Sequence, residues 1–463
     1  MTTFQLLLIV FSFGRTKDSR IFDDQFEHIH SQSAQDVSSL MKTHPGPTIN
    51  LHIEDRIEIL HSLTLENRHI VITAPTACSF DACTSVSSSG CRFTNISSVP
   101  NASPNMPPHF RTHYKQLLSS MDMAHSEHGL YGLVSSDINS GGDFLFKNTS
   151  FSHCTTTETG QAYDQDHPCT DGSVTTFDSC TFTSMTSTSP GAGLWRQNAV
   201  SLTLISCTFT ECVSTVAQGH HGGGLCAYNC DTVNLEGTNK FDRCVCKGGA
   251  GGGYFISETT TTLVVSGVKC EDCSNSDGSG YYGNGGGGFL GMNKAPEAAV
   301  QITNCEFTGC TSTSTGGLTV NIAWTVVSSC KFTDCEGNGH ERGGGLNFYP
   351  TGTHTLSFSS FTNCSHLTGI GGGVAFAGKS TITMDSVDFV DCHTDNGQGG
   401  GCWANGVVVL ESVTFTNCYA LNGEGGGCYL GNGSSVEVKD CSFTDCNITL
   451  DSYATGGGAL AGT

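Results

Sequence analysis

The chain has 463 residues, of which 59 are glycine, 25 are cysteine and only 13% are charged. Hydrophobic residues make up 37% of it, enough to form a core, which argues against an intrinsically disordered chain. A net charge of −22 argues against binding to nucleic acids, anionic membranes or other polyanions, because like charges repel.

The first 14 residues predict a signal peptide. Leu6 to Phe13 form an eight-residue apolar run, which suits a signal-peptide core and is too short to span a bilayer. No Lys or Arg precedes the run and no A-x-A pattern follows it, so a first strand is the alternative interpretation. The many cysteines are typical of an oxidising compartment, and we therefore expect a secreted or cell-surface protein. Outside the signal segment we expect no insertion into the membrane.

The next segments predict an irregular start to the fold. Residues 15–45 are polar and unpatterned, as in a leader or an irregular N-terminal cap. Residues 46–150 are expected to form the first coils, because short strand-like pieces lie between Thr48 and Thr73. Residues 95–127 are rich in Pro, His and Met and predict a loop insertion.

Six N-x-S/T sequons provide candidate N-glycosylation sites. Several matches are expected by chance in a chain so rich in Ser and Thr. The candidates are Asn95, Asn101, Asn148, Asn363, Asn432 and Asn447.

Residues 151–463 are dominated by a repeat of roughly 28 residues. Phe followed three residues later by Cys recurs, and glycine runs lie between the pairs. Cys270 and Cys273 form one further unit with Cys in the Phe place. The Phe/Cys pairs are Phe151/Cys154, Phe177/Cys180, Phe209/Cys212, Phe241/Cys244, Phe307/Cys310, Phe332/Cys335, Phe361/Cys364, Phe389/Cys392, Phe415/Cys418 and Phe443/Cys446.

Each repeat predicts a bent coil of strands. Aliphatic residues stand seven and five positions before the Phe, which is the period of a strand with one buried face. The Phe is out of phase with that pair, so a bend must lie between them, at small polar residues such as Thr303-Asn304. The fold class is therefore predicted as all-β, a right-handed parallel β-helix of about ten or more coils with an irregular N-terminal cap. No C-terminal cap is apparent in the sequence.

The repeat resembles a known group of β-helix sequences. The F-T-x-C and G-G-G-[aliphatic/aromatic] units are similar to the pectin-lyase-like repeats of polymorphic outer membrane proteins, with Cys where those have Asn. Gly- and Cys-rich β-helix surface proteins of anaerobic protists are a still closer resemblance. The resemblance covers roughly residues 140–463 and implies a cell-surface or secreted protein.

Little in the sequence predicts chemistry. The NTD, GHG and RIK tracts of polysaccharide-cleaving β-helix enzymes are absent from the coils, so we expect no catalytic residue, cofactor or metal. His220-His221 and His340-Glu341 precede equivalent glycine runs and are interpreted as loop residues. Cys402 and Cys428 each follow a glycine run directly, so stacked coils would place them within disulfide distance. Buried free thiols are the alternative for the cysteines.

We therefore expect a non-enzymatic extracellular or cell-surface β-helix repeat protein that acts in adhesion or recognition. Its partner would be a protein or a glycan at the cell exterior. One alternative is a carbohydrate-active β-helix enzyme, either a polysaccharide lyase or a hydrolase. The other is the ectodomain of a longer receptor.

Overall fold

The structure is a computed structural model. It describes residues 174–448 apart from gaps at 188–189, 198, 216–221, 277–284, 293–298, 340–341 and 377, and it also describes 147–148 and 458–462. Within the first 152 residues it otherwise gives the backbone of short strands only.

Four parallel sheets run along the chain, and each repeat adds one strand to each sheet. We name the sheets by their strands in the order in which one turn visits them. The first strand follows the glycine run (Gly sheet), the second carries the aliphatic pair (aliphatic sheet), the third carries the Phe (Phe sheet), and the fourth has only two residues (short sheet). The Gly sheet contains Leu194–Gln197, Leu225–Tyr228, Tyr254–Thr259, Gly288–Met292, Leu318–Asn321, Leu346–Phe348, Val374–Phe376, Cys402–Ala404, Cys428–Leu430 and Leu460–Gly462. The aliphatic sheet contains Leu63–Glu66, Ser85–Ser89, Asp143–Lys147, Val174–Asp178, Ser201–Ile205, Thr232–Glu236, Thr262–Ser266, Val300–Thr303, Trp324–Ser328, Thr353–Ser357, Ser380–Asp385, Gly406–Glu411 and Ser435–Lys439.

The other two sheets are made of shorter strands. The Phe sheet contains Thr48–His52, His69–Thr73, Arg92–Thr94, Ser150–Ser152, Thr181–Thr183, Thr208–Thr210, Lys240–Asp242, Lys269–Glu271, Glu306–Thr308, Lys331–Thr333, Ser360–Thr362, Asp388–Val390, Thr414–Thr416 and Ser442–Thr444. The short sheet contains Thr186–Ser187, Val213–Ser214, Val245–Cys246, Ser274–Asn275, Thr311–Ser312, Glu336–Gly337, Ser365–His366, His393–Thr394, Tyr419–Ala420 and Asn447–Ile448. Nine consecutive turns, from Leu194 to Ile448, carry all four strands.

The N-terminal strands only partly follow the predicted organisation. Thr48–His52 and His69–Thr73 belong to the Phe sheet, as expected of first coils. Ile9–Phe11 pairs antiparallel with Ile57–Ile59. The signal peptide at residues 1–14 and its alternative, a buried first strand, both stay predictions. The predicted leader at 15–45 and the loop insertion at 95–127 lie outside the described residues, and the domain boundaries stay predictions.

Each turn has two tight corners, and the first of them confirms the predicted bend. At the first corner, between the aliphatic and Phe strands, Asn304 and Ser329 both have a φ of 56°. At the second corner, between the Phe and short strands, Asn363 and Asp391 have φ values of 50° and 55°. Short polar residues tolerate this left-handed conformation because their side chains can hydrogen-bond locally. The corners rotate the chain, and the Phe therefore points inward out of phase with the aliphatic pair.

One unit of the predicted repeat was wrong. Phe177 belongs to the aliphatic sheet and pairs with Leu204 of the next turn. Phe182 is the residue that pairs with Phe151 and Phe209 in the Phe sheet. Cys180 therefore lies at the first corner, before Phe182. The sequence was ambiguous here because Phe177 and Phe182 stand on either side of Cys180, three and two residues away.

The core consists of columns of like side chains from successive turns. The Phe rings stack nearly parallel, as for Phe332 and Phe361, whose centroids are 4.8 Å apart with an interplanar angle of 2°. Burial of each ring depends on the turns above and below it, since a side chain in a parallel sheet contacts its in-register neighbours. Val438 in the last complete turn is 43% exposed, whereas Leu410 one turn earlier is fully buried.

Cys270 interrupts the Phe column, as the sequence predicted. It pairs with Phe241 on one side and Phe307 on the other. Tyr254 is fully buried beside the gap, with its ring 5.3 Å from that of Phe241. A β-carbon on Gly288 would overlap the Tyr254 ring. The tyrosine thus fills volume that a phenylalanine at position 270 would take.

The glycine runs form the corner at which the chain enters the Gly sheet. The first glycine of a run has positive φ, for example 71° at Gly371. A β-carbon on the third glycine would meet the Phe column, since at Gly373 it would lie 2.7 Å from Cδ1 of Phe389. Glycine is needed at these positions for conformation and for close packing. The fold is an all-β parallel solenoid, and no helix among the described residues is long and apolar enough to cross a membrane.

Candidate binding surface on the Gly sheet

The second residue of each Gly-sheet strand points away from the core. In the strand Leu318–Asn321, Leu318 and Val320 belong to the main core, whereas Thr319 between them does not. Cys226, Phe255 and Phe289 belong instead to a separate apolar cluster. The same alternation holds in every turn, and the outward residues form one in-register row. This outer row consists of Trp195, Cys226, Phe255, Phe289, Thr319, Asn347, Ala375, Trp403, Tyr429 and Ala461.

The middle of the outer row carries polar groups without partners. Asn347 is fully buried, yet neither Oδ1 nor Nδ2 has a hydrogen-bond partner. Thr319, its neighbour in the row, is also fully buried with Oγ1 unpartnered. A buried polar group without a partner costs roughly 1–3 kcal/mol, so such groups call for an explanation. Here an amide and a hydroxyl are adjacent on the side of the Gly sheet that faces away from the core, and neither is exposed to solvent.

Aromatic side chains continue the row beyond Ala375. Trp403 and Tyr429 pair in register on successive turns. The Trp403 ring is only partly buried, and its Nε1 is another polar atom without a hydrogen-bond partner. The Arg342 guanidinium lies 5.4 Å from the Trp403 ring centroid, a cation–π contact. The outer row therefore combines aromatic rings with buried hydrogen-bonding groups that the protein does not itself satisfy.

The predicted cysteine pair lies on the inner side of the same sheet. Cys402 and Cys428 are in-register neighbours, as the sequence predicted, and both are fully buried. The structure holds both as thiols, so the disulfide stays a prediction. Burial and the neighbouring Cys428 thiol raise the pKa of Cys402 well above its usual value. A protonated thiol is a poor nucleophile, which slows thiol–disulfide exchange at this position.

Four of the six predicted glycosylation asparagines can be located. Asn148, Asn363, Asn432 and Asn447 are all exposed. The Nδ2 of Asn363 donates a hydrogen bond to Oδ1 of Asp334 at 2.7 Å, and the Nδ2 of Asn447 donates to the Asp445 carbonyl at 2.9 Å. These four side chains are placed where a glycan could be attached. Asn95 and Asn101 lie outside the described residues.

The sequence repeat did not predict the outer row. The histidine loops at 220–221 and 340–341 lie outside the described residues. Among the described residues no three or more His, Cys, Asp or Glu side chains converge so that they could together surround one metal ion. The signal for the row was present as the second residue after most glycine runs, where Trp403 and Tyr429 stand between inward neighbours.

Comparison with known proteins agrees with the observed architecture. The C-terminal part of the chain, residues 293–461, matches the family model for a right handed beta helix region. No curated protein matches the chain. The fold and this match together identify the chain as a parallel β-helix repeat protein.

Proposed function

We propose that this protein is a non-enzymatic recognition protein of the cell exterior that binds an uncharged glycan chain along the outer row. The observation that carries the proposal is the run of unpartnered polar atoms on Thr319, Asn347 and Trp403. These atoms are buried in the structure, so the proposal requires the groups that cover them to move aside when the glycan binds. Sugar hydroxyls both donate and accept hydrogen bonds, so they can satisfy a hydroxyl, an amide and an indole N–H together. The apolar face of a sugar ring can pack on Trp403, whose ring is partly exposed beside the buried Tyr429.

The geometry of the row suits an extended ligand. Its residues repeat at the strand spacing of roughly 4.8 Å, so a polymer lying along the solenoid would meet equivalent positions in successive turns. The net charge of −22 disfavours an anionic polymer, which supports a neutral glycan over a uronate chain. The row carries no carboxylate, and hydrolysis of glycosides generally requires a pair of them, so the row supports binding rather than cleavage.

The proposed location rests on sequence features. The content of 25 cysteines, the sequons and the apolar N-terminal run are typical of secreted or surface proteins. The resemblance to polymorphic outer membrane proteins and to Gly- and Cys-rich protist surface proteins supports the same location and a role in adhesion.

A glycan array probed with the purified chain tests the proposal. We expect binding to neutral oligosaccharides, and we expect Trp403→Ala to weaken binding of the best glycan at least about tenfold. Trp324→Ala is the matched control, because Trp324 is 44% exposed on the outer face of the aliphatic sheet. Equal binding by all three proteins, or no binding by the wild type, would overturn the proposal.

A second variant separates binding from folding. Asn347→Leu removes a buried amide that has no partner, so the free energy of unfolding should stay unchanged or increase. Glycan binding by this variant should be lost. A variant that is destabilised yet still binds the glycan would show that the Asn347 side chain serves the fold rather than the ligand.

A further inference from the structure

A continuous column of sulfur atoms lies at the second corner. Nine successive turns place a cysteine there, and Met185 occupies the same position one turn before the first of them. The nine cysteines, which we call the thiol column, are Cys212, Cys244, Cys273, Cys310, Cys335, Cys364, Cys392, Cys418 and Cys446. All nine are free thiols, and all except the partly exposed Cys446 are fully buried.

Neighbouring thiols in the column are close to one another. Cys364 lies between Cys335 and Cys392 on successive turns, since the N–H of Ser365 donates to the Cys335 carbonyl and the N–H of His393 donates to the Cys364 carbonyl. Its Sγ also lies 3.4 Å from the Phe332 carbonyl oxygen of the preceding turn. The same contact to a carbonyl of the preceding turn recurs along the column at 3.3–3.6 Å, from Cys273 to Phe241 and from Cys446 to Phe415 for example. The backbone therefore holds each sulfur at a fixed place between two others.

The spacing of the column suits one kind of cation. Turns stack at roughly 4.8 Å, and twice a metal–thiolate bond of roughly 2.3 Å is about 4.6 Å. A cation bound linearly by two thiolates of adjacent turns would thus fit with little movement. Soft monovalent cations such as Cu(I) and Ag(I) prefer thiolate ligands and accept two-coordinate geometry. Zinc generally requires four ligands around one ion, an arrangement that no cluster among the described residues provides.

We propose that the thiol column is a binding site for a file of soft monovalent cations, each held between the sulfurs of two adjacent turns. Nine cysteines make eight neighbouring pairs, so the full column takes eight ions. Each ion that binds displaces one thiol proton to solvent, and one of the nine protons stays on the column. Nine thiolates, eight monovalent cations and one proton sum to zero charge. Neutrality matters because an uncompensated charge in the buried column would be strongly unfavourable.

The ions can enter at one end of the column. Cys446 is partly exposed, whereas its neighbour Cys418 is fully buried. Burial raises the pKa of Cys335, Cys364 and Cys392 well above the usual thiol range. These thiols remain protonated and unreactive until a cation replaces the proton. The neighbouring Cys392 and Cys446 thiols lower the pKa of Cys418 to about 4, which favours a thiolate beside the exposed end of the column. The middle of the column is expected to take up thiophilic ions rather than to react with alkylating reagents.

Counting bound ions tests the proposal. The fully reduced protein is titrated with Ag(I), and separately with Cu(I) under argon, and native mass spectrometry counts the ions retained. Cys364→Val removes one thiol from the middle of the column and with it two neighbouring pairs, so two fewer ions should bind. Cys330→Val is the matched control, because Cys330 stands at the first corner beside Cys305, with Ser359 on its other side. That variant should lose one ion at most.

Circular dichroism of the same samples shows whether each variant keeps its β-sheet structure, so that a loss of ions is not mistaken for misfolding. Val387 and Val413 occupy the first-corner position in other turns, so valine is compatible with the Cys330 site. Cys364→Ser provides a second variant if Cys364→Val does not fold. Loss of the same number of ions from the Cys364 and Cys330 variants would overturn the proposal, since each thiol would then bind separately. Loss of the β-sheet spectrum during the wild-type titration would also overturn it.

Discussion

His354 packs against Phe348 inside the solenoid, with the two ring centroids 4.6 Å apart. In its column the adjacent turns carry Thr325 and Ile382, so a histidine stands among apolar and small side chains. Burial lowers the pKa of His354 to about 4, and burial likewise lowers the pKa of His366 in the same turn to about 4. Both rings are therefore neutral in the folded protein at neutral pH.

These two histidines predict a loss of stability in acid. Between pH 6.5, the usual histidine pKa, and about 4, the unfolded chain binds protons that the folded chain does not. The free energy of unfolding is thus highest above pH 6.5 and falls as the pH falls through that window. The double variant His354→Ile, His366→Thr carries the residues that occupy those two columns in the next turn. Measured by denaturant unfolding across this pH range, its free energy of unfolding should fall less steeply with falling pH than that of the wild type. An equally steep dependence in the variant would contradict this explanation.

Substitution of two phenylalanines should have different effects on the free energy of unfolding. Phe332 is buried in the Phe column between Phe307 and Phe361, so Phe332→Ala should cost roughly 3–5 kcal/mol of unfolding free energy. Phe358 is 65% exposed at a first corner with a φ of 48°. Phe358→Ser should be neutral or stabilising, because serine stands at the same corner in both adjacent turns. Chemical denaturation of both variants makes the comparison, and a large loss at Phe358 would contradict it.

Tyr254 and Cys270 should be energetically coupled. Cys270→Phe alone should overpack the core and cost roughly 1–3 kcal/mol. Tyr254→Leu alone should leave a cavity, although Leu225 occupies that column one turn earlier. The double variant should recover much of both losses, because the new Phe ring enters the volume that the tyrosine vacates. A double-mutant cycle measures the coupling free energy, and additive losses would show that the two side chains do not share the volume.

The Cys402–Cys428 disulfide predicted from the sequence can be tested directly. In-register neighbours in parallel strands lie within the Cα separation that disulfides permit. We expect peptide mapping of protein purified without reductant to recover the two cysteines as a linked pair, with both thiols alkylated only after reduction. Cys402→Val is the control and should leave Cys428 as a free thiol. Recovery of both unlinked in the wild type would favour buried free thiols instead.

Much of the fold could be predicted from the sequence because its columns repeat. The aliphatic pair, the bend and the Phe recur in register, so local spacing alone indicated strands, corners and a parallel solenoid. Phe177 was misassigned because two phenylalanines flank Cys180, and only the pairing with Leu204 distinguishes them. The outer row was missed for a different reason. Its members change type from turn to turn, so Asn347 and Trp403 become neighbours on one surface only when the turns are stacked.

The register of the turns is the central claim, because the outer row and the thiol column both depend on it. Spin labels at Thr210 and Thr416 test it, since these residues flank the Phe column on the outer face of the Phe sheet and are seven strands apart. Seven steps of roughly 4.8 Å predict a backbone separation of about 34 Å. A narrow distance distribution near that value in pulsed electron paramagnetic resonance would support the stacked solenoid. A distribution centred below about 20 Å, or a broad one, would contradict it.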